Sequence, residues 1–404
     1  MPRRQLPPVR TALAAAALAT TLAAGAAPPK PAAAAAPRPV PAPLPVEVLT
    51  DGATLAGSGS ARIYVADVAI AHIADGRLRV FDARSGRLLG MINTGFAGNF
   101  ALSANAEEIY IATTYLSRGG RGERTDVLEV WDAQTLAFKH EVVLPPRRAQ
   151  TLNYRGLVSV SANGRYVWVQ NATPASSITV VDLAEKKVSA EIQTPGCWGT
   201  LPAAAHPARF GMLCSDGRIT TLTLNDQGQE ADRQLSEVLF DPDRDAWFHS
   251  AERIGDRYFF LSFKGSITEV DLSGASARQV AQRGFVSAQQ AKLGWRPGGY
   301  QAFAVHPGGR WAVVAMHDQG REGSHKLPAK QLWTIDLASG RRVATAPGQG
   351  TASLTFSRNG QRLQALDGVT AALNVWDWAD GGKLKPVATV RPAGMAALHL
   401  ETHD

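Results

Sequence analysis

The sequence predicts an all-β protein, a seven-bladed β-propeller of four-stranded antiparallel blades, and three observations point there. Seven short β-rich runs end in an apolar-Asp step or its near equivalent, at Asp82, Asp132, Asp182, Asn225–Asp226, Asp271, Asp336 and Asp377, spaced 41 to 65 residues apart. A strand-built repeat of roughly 40–50 residues is the period of propeller blades. A hairpin pattern precedes most of these runs, as in FALSANAEEIYIAT (100–113), LVSVSANGRYVWVQ (157–170), FAVHPGGRWAVVAM (303–316) and LTFSRNGQRLQAL (354–366). Asn-Gly and Gly-Gly at such turns accept the positive φ that other residues resist. Finally, RIYVADV (62–68) and RPAGMAALHLE (391–401) sit at opposite ends of the chain. Pairing the first with the last blade closes the ring and removes exposed edges.

The elements follow in order. Met1-Pro2-Arg3-Arg4, an Ala- and Leu-rich run from Thr11 to Ala24, and Ala24-Gly25-Ala26 give residues 1–26 the build of a secretory signal peptide. The apolar run is short of the roughly 20 residues that a membrane span needs, so no span is expected. Arg3-Arg4 lacks the usual neighbours of a twin-arginine signal, and both export routes stay open. Residues 27–45, which hold PPKPAAAAAPRPVPAPLP, form an Ala/Pro-rich disordered arm, because proline stiffens the chain and removes amide donors. The propeller occupies 46–404, and the leader places it in the periplasm.

The net charge of +7 tempts a nucleic-acid reading, but five cations (Arg3, Arg4, Arg10, Lys30, Arg38) lie in the leader and arm. The remainder holds 37 basic against 35 acidic side chains, without the basic stripe of a nucleic-acid binder. The two cysteines, Cys197 and Cys214, are seventeen residues apart. In an exported protein they are expected to oxidise to each other and staple adjacent strands of one blade. Two buried free thiols are the alternative.

Three segments exceed the repeat: an Arg- and Gly-rich loop over 115–125, a stretch over 287–299 with room for a helical turn or two, and a charged loop over 317–330. Loops on a rigid scaffold tend to carry contacts. Chemistry is otherwise sparse: G-x-S-x-G, H-E-x-x-H, C-x-x-C and the phosphate-binding glycine patterns are all missing. His317, Asp318, Glu322 and His325 share a loop, yet their spacing fits a solvated surface better than a metal site. His206 and His306 each precede a proline at a turn and read as structural or solvated rather than as general bases. The repeated Asp residues serve the fold by bonding turn amides. Most of the nine Trp lie on strands as filling between blades, whereas Trp198 and Trp295 fall in turn-rich segments and can face a partner or a channel. No catalytic residue, metal ligand or cofactor is expected in this chain.

The segments that interrupt the repeat are more specific. TTYLSRGGRGERTDVLEVWDAQTL (113–136), NYRGL with NATPASSITVVDL (153–183), GCWG (196–199), GWRPGGYQ (294–301) and MHDQGREGSHKLPAKQLWTIDL (316–337) occur in this order. Together they resemble the heavy subunit of the tryptophan tryptophylquinone-dependent amine dehydrogenases, from about Val46 to the C-terminus. GCWG and NATPASSI look closer to the aromatic (aralkylamine) type than to methylamine dehydrogenase.

The resemblance implies a periplasmic α2β2 heterotetramer on a seven-bladed propeller. A small light subunit carries tryptophan tryptophylquinone and the catalytic base. A primary amine is oxidised to aldehyde and ammonia, and electrons pass to a small blue copper protein, azurin or amicyanin. It also implies that Cys197 and Cys214 are the family's disulfide. One position approaches the chemistry: in Gly90-Met91-Ile92-Asn93-Thr94-Gly95-Phe96, Phe96 matches the phenylalanine that lines the route to the quinone. Without the resemblance, Phe96 reads as an ordinary core residue between blades; with it, as an aromatic gate on a loop. The alternatives are a methylamine dehydrogenase heavy chain and a non-enzymatic exported binding propeller. A lactonase-like hydrolase with a channel metal would need acids and Asn converging from several blades, and no such set can be picked out.

Overall fold

Strand follows strand almost throughout residue 55 and residues 61–403, which are those described by the structure, a computed structural model. The proposed leader (1–26), the arm (27–45) and the start of the body lie outside the described residues. Strands β1 (Arg62–Asp67), β2 (Gly76–Asp82), β3 (Leu88–Leu102), β4 (Glu108–Leu116), β5 (Arg124–Asp132) and β6 (Phe138–Leu144) form one sheet, joined at its edge by the C-terminal strand Ala397–His403. Strand β7 (Val158–Val160) opens the next sheet. Of the five sheets that follow the first, four have four strands and one has five, and every strand-to-strand pairing within a sheet is antiparallel.

The first sheet is two units sharing a strand. The first half of β3 pairs with β2, from Phe81↔Leu88 to Gly76↔Gly95. Its second half pairs with β4, from Phe96↔Thr114 to Leu102↔Ile109. The change of partner falls at Gly95 and Ala97, with φ of 54° and 46°. A continuous strand, not a linker, therefore carries the chain between these units.

Apolar side chains explain why the sheets stack. Tyr166–Asn171 and Ser177–Asp182 are buried at every position, because both faces of a sheet meet a neighbour. Among the described residues seven buried apolar clusters form, each between successive strand groups. One holds Tyr64, Leu78 and Ile109; the last joins Leu373 and Val375 to Ile63 and Val65. Apolar packing thus returns from the end of the chain to its start. The fourth strands are the solvated edges: Glu230–Leu235 is exposed throughout, and its charged residues discourage edge-to-edge pairing.

The two ends of the body meet as expected, with Arg62–Asp67 opposite His403–Ala397. The last strand joins the first sheet rather than that of strands Thr351–Val390, which precedes it. Side chains satisfy the other edge of this strand. Gln301 donates to the Leu400 carbonyl (3.1 Å) and accepts from the Leu400 amide (2.6 Å), and Ser353 donates to the Leu398 carbonyl (2.6 Å).

The turns follow the sequence closely, with two differences. Gly164, Gly309 and Gly360 sit at positive φ in their hairpins, whereas the SANAEE turn places Ala106 there, at 52°. Six of the seven repeat positions accept turn amides, as Asp132 does from Gln134 and Thr135 at 2.8 Å. Asp377 instead accepts from Arg362 Nε at 3.2 Å, because its strand runs on to Ala379. Cys197 and Cys214 are directly opposite on neighbouring strands and form a disulfide.

Two outcomes are expected. Removing residues 397–404 leaves β1 with an unpaired edge and strips the last apolar cluster of Leu400. The truncated chain should lose cooperative thermal unfolding and aggregate, as light scattering would register. Replacing both cysteines by alanine opens a loop of seventeen residues. Denaturant titration should report a loss of about 3 kcal/mol.

Candidate functional site

Phe96 lies at the bend of β3, within a strand and not on a loop as expected. The register shifts between Phe96 and Asn99, so the chain bulges there. Gly98 is required in this bulge, since a Cβ would collide with the Thr94 carbonyl. Phe96 itself is half-buried. Its cross-strand partner Thr114 is followed by Tyr115, Leu116 and the Arg-rich turn, which is shorter than the sequence suggested because β4 and β5 extend to Leu116 and Arg124. Asp132 pairs with Glu108 at the far end of the same strands. The Asp-ended turn and the Phe96 bend thus occupy opposite ends of the sheet.

The link between β6 and β7 holds this bend from outside. Arg148 donates to the carbonyls of Phe96 (2.7 Å) and Ala97 (2.9 Å) and to Thr114 Oγ1 (2.9 Å). Asn153 donates to the Gly98 carbonyl. Arg148 is buried, and desolvation lowers its pKa to about 10, with Asp126 offsetting part of that effect.

A cavity of about 530 Å³ lies among the opening strands of the units. Its wall takes residues from β3, β7 and strands 197–202, 252–254, 303–305, 351–356 and 397–403. Arg155 crosses it. The guanidinium bonds Glu252, the Ala251 carbonyl (3.2 Å) and Glu401 Oε1 (2.7 Å), and Glu401 in turn contacts His399 Nε2 at 2.9 Å. Burial pushes Glu401 up, but Arg155 and His399 outweigh it and hold the carboxyl down to about 2. Burial prevails at Glu252, whose pKa is raised although Arg155 opposes the shift. His249 is pushed down to about 4 by burial, and its ring meets Tyr154 at 5.6 Å. Acids from two sheets do converge on the cavity, then, but Arg155 bridges them. Among the described residues, no group of three or more His, Cys, Asp or Glu side chains is placed to hold a metal ion.

The other sequence candidates separate. Trp198 lines the cavity. The stretch over 287–299 contains a short helix, Ala288–Lys292, with a capping box at Ser287. It meets the 317–330 segment: Gly320 donates to the Gly294 carbonyl at 2.7 Å, and Lys330 lies over Trp295. His317 is the buried last residue of its strand, not a loop residue, and burial lowers its pKa. His306 bonds the Gly360 carbonyl (3.1 Å) and packs on Trp378, a structural role as expected. Phe96 belongs to a different sheet from His317.

Sequence reasoning missed Arg148, Arg155, Glu252 and Glu401. Their partners are far along the chain: Arg155 and Glu401 are 246 residues apart, Arg148 and Phe96 52. The only local sign is a charge set among apolar or small neighbours, as in LHLETH around Glu401.

A family model described as methylamine dehydrogenase heavy chain (MADH) matches residues 59–397. The methylamine dehydrogenase heavy chain of Methylophilus methylotrophus is 26% identical over 296 residues, covering 73% of this chain and 72% of that one. That of Methylorubrum extorquens is 28% identical over 330 residues, covering 80% and 78%. Among solved structures, the periplasmic gluconolactonase of Pseudomonas aeruginosa superposes with a TM-score of 0.58 at 15% identity, covering 85% of this chain and 98% of that one. Kuenenia stuttgartiensis hydrazine synthase gives 0.51 at 11%, covering 75% and 90%. At such identities these two share the fold alone.

The Arg155 tie is testable. Removing Arg155 from this partly buried tie strands the buried Glu252, so Arg155→Ala should lower stability by about 2 kcal/mol in denaturant titration. Glu401 has a depressed folded pKa, so its contribution is present above the unfolded value of about 4.3 and is lost as pH falls towards 2. The stability difference between wild type and Glu401→Gln should therefore be largest above about pH 5 and shrink on acidification. A difference that stays flat with pH would show that Glu401 is not held ionised by Arg155.

Proposed function

Because the chain belongs to the methylamine dehydrogenase heavy chain family, we propose that it is the heavy subunit of a periplasmic quinoprotein amine dehydrogenase, built as a seven-bladed β-propeller. The observation that carries this reading is the extent of the family match, which runs from before β1 into the C-terminal strand. The seven apolar clusters between successive strand groups and the pairing of β1 with the last strand support the blade count.

In this reading the chain scaffolds a light subunit that carries tryptophan tryptophylquinone. That group would supply the two-electron oxidant for a primary amine, which with water yields aldehyde and ammonia, and a small copper protein, azurin or amicyanin, would receive the electrons. The assembly is an α2β2 heterotetramer, exported through the leader at 1–26. Phe96 forms part of the wall of the amine's route. A half-buried aromatic ring in a fixed bend offers an apolar surface to the substrate and helps to keep water out.

The substrate we favour is an aromatic amine, on the GCWG and NATPASSI segments. Methylamine is the second reading, favoured by the names of the curated relatives.

Purification of the native protein tests the proposal. A bound small subunit and a visible absorbance that bleaches with phenethylamine or methylamine are the expected result. A protein that emerges alone, colourless and inactive with amine and a dye acceptor is instead a binding propeller. The ratio of kcat/KM for phenethylamine to that for methylamine separates the two substrates. Phe96→Ala should change that ratio while leaving assembly intact; an unchanged ratio removes Phe96 from the route.

A further inference from the structure

We propose that Arg148 is a positioning residue for amine selectivity: it fixes the bend of β3 that presents Phe96. The inference rests on the reading of Phe96 as part of the amine's route. Gly95 and Ala97, on either side of Phe96, both have positive φ, and Ala97 carries a Cβ that disfavours this conformation by about 1 kcal/mol. Such a residue persists where its surroundings over-determine it, and these positions cluster where geometry matters for function.

Arg148 supplies that determination. The side chain is 3% exposed. Its two terminal nitrogens reach the carbonyls of consecutive residues, Phe96 at 2.7 Å and Ala97 at 2.9 Å, and so hold the two peptide units that flank the Cα of Ala97. The same guanidinium donates to the Ala149 carbonyl (3.1 Å) and twice to Thr114 Oγ1 (2.9 and 3.3 Å), which ties the bend to β4. The nearby carboxylate is largely committed elsewhere. Asp126 accepts from Arg124 at 2.8 and 2.6 Å and from the Thr114 hydroxyl at 2.7 Å, and from Arg148 it accepts only the backbone amide, at 3.2 Å. A buried cation is thus directed at carbonyl and hydroxyl oxygens of the bend. A planar guanidinium holds two adjacent carbonyls from separate nitrogens at fixed spacing; a lysine ammonium carries its three donors on one rotatable nitrogen and lacks that fixed fork. The arrangement suits Arg specifically.

The experiment uses the complete heavy–light complex and measures kcat and KM for phenethylamine and methylamine in wild type, Arg148→Lys, Phe96→Ala and the double variant. Arg148→Lys keeps the charge and loses the paired grip. It should change the phenethylamine-to-methylamine ratio in the same direction as Phe96→Ala, by about tenfold, the scale of a displacement well under 1 Å. The double variant should show no further change, since both act through one ring. If Arg148→Lys lowers the melting temperature but keeps the wild-type ratio while Phe96→Ala changes it, Arg148 is only structural and the Phe96 reading stands. If Phe96→Ala itself leaves the ratio unchanged, the Phe96 reading falls and this inference with it. Should Arg148→Lys fail to assemble, Thr114→Val removes the hydroxyl beneath the guanidinium at nearly constant volume, and the same ratio decides.

Discussion

The antiparallel pairing of Arg62–Asp67 with Ala397–His403 is the contact on which the rest of this structure depends. It covers the open edge of β1 and supplies Leu400 to the cluster between the last and first strand groups. It also places Glu401 where Arg155 can reach it. Asp67 reinforces the junction by accepting from the amides of Met395 (2.8 Å) and Ala396 (2.9 Å). Every other sheet is built from consecutive strands of the chain. This one takes its first strands and its edge strand from opposite ends of the described body, so its formation bears the entropy of the longest loop closure in the fold.

Arg148, which is buried, and Arg155, which is half-buried, illustrate different uses of an expensive group. Arg155 lies between two carboxylates, and their attraction offsets its desolvation; the product is a cross-brace over the central cavity. Arg148 is aimed at peptide carbonyls, with Asp126 nearby but engaged by Arg124. Its solvation is replaced by oriented dipoles rather than by a counter-ion. A cation placed in that way holds a backbone shape, here the bend of β3.

Repeated and unrepeated features are also divided along the strands. Where β3 to β5 meet the Asp-ended turn, the residues are amide caps repeated from unit to unit. At the opposite end lie Phe96, Thr114 and the Arg-rich turn, none of which repeats. The sheet of strands Phe303–Pro347 shows the same polarity, with Asp336 opposite Trp311 and the 317–330 segment leaving from the other end. The repeat secures one end, and the exceptions to it are free to specialise at the other.

The strand content, the positions of the hairpins and the room for a helical turn or two over 287–299 were legible in the sequence because each depends on neighbours within a few residues, through alternation and turn glycines. The spacing of Asp-ended strands and the pairing of Cys197 with Cys214 were legible for the same reason, since both belong to one local unit. Phe96 stood out only through its resemblance to a known segment, and its place in a bent strand shared by two units was not readable, because the change of partner depends on β4 and on Arg148. The Arg155 tie was hidden altogether, with partners 97 and 246 residues away. Local periodicity determined which strands form. Only the stacking of the sheets and their closure decided which charges meet, because a buried ion pair is specified by distance in space and leaves no period in the chain.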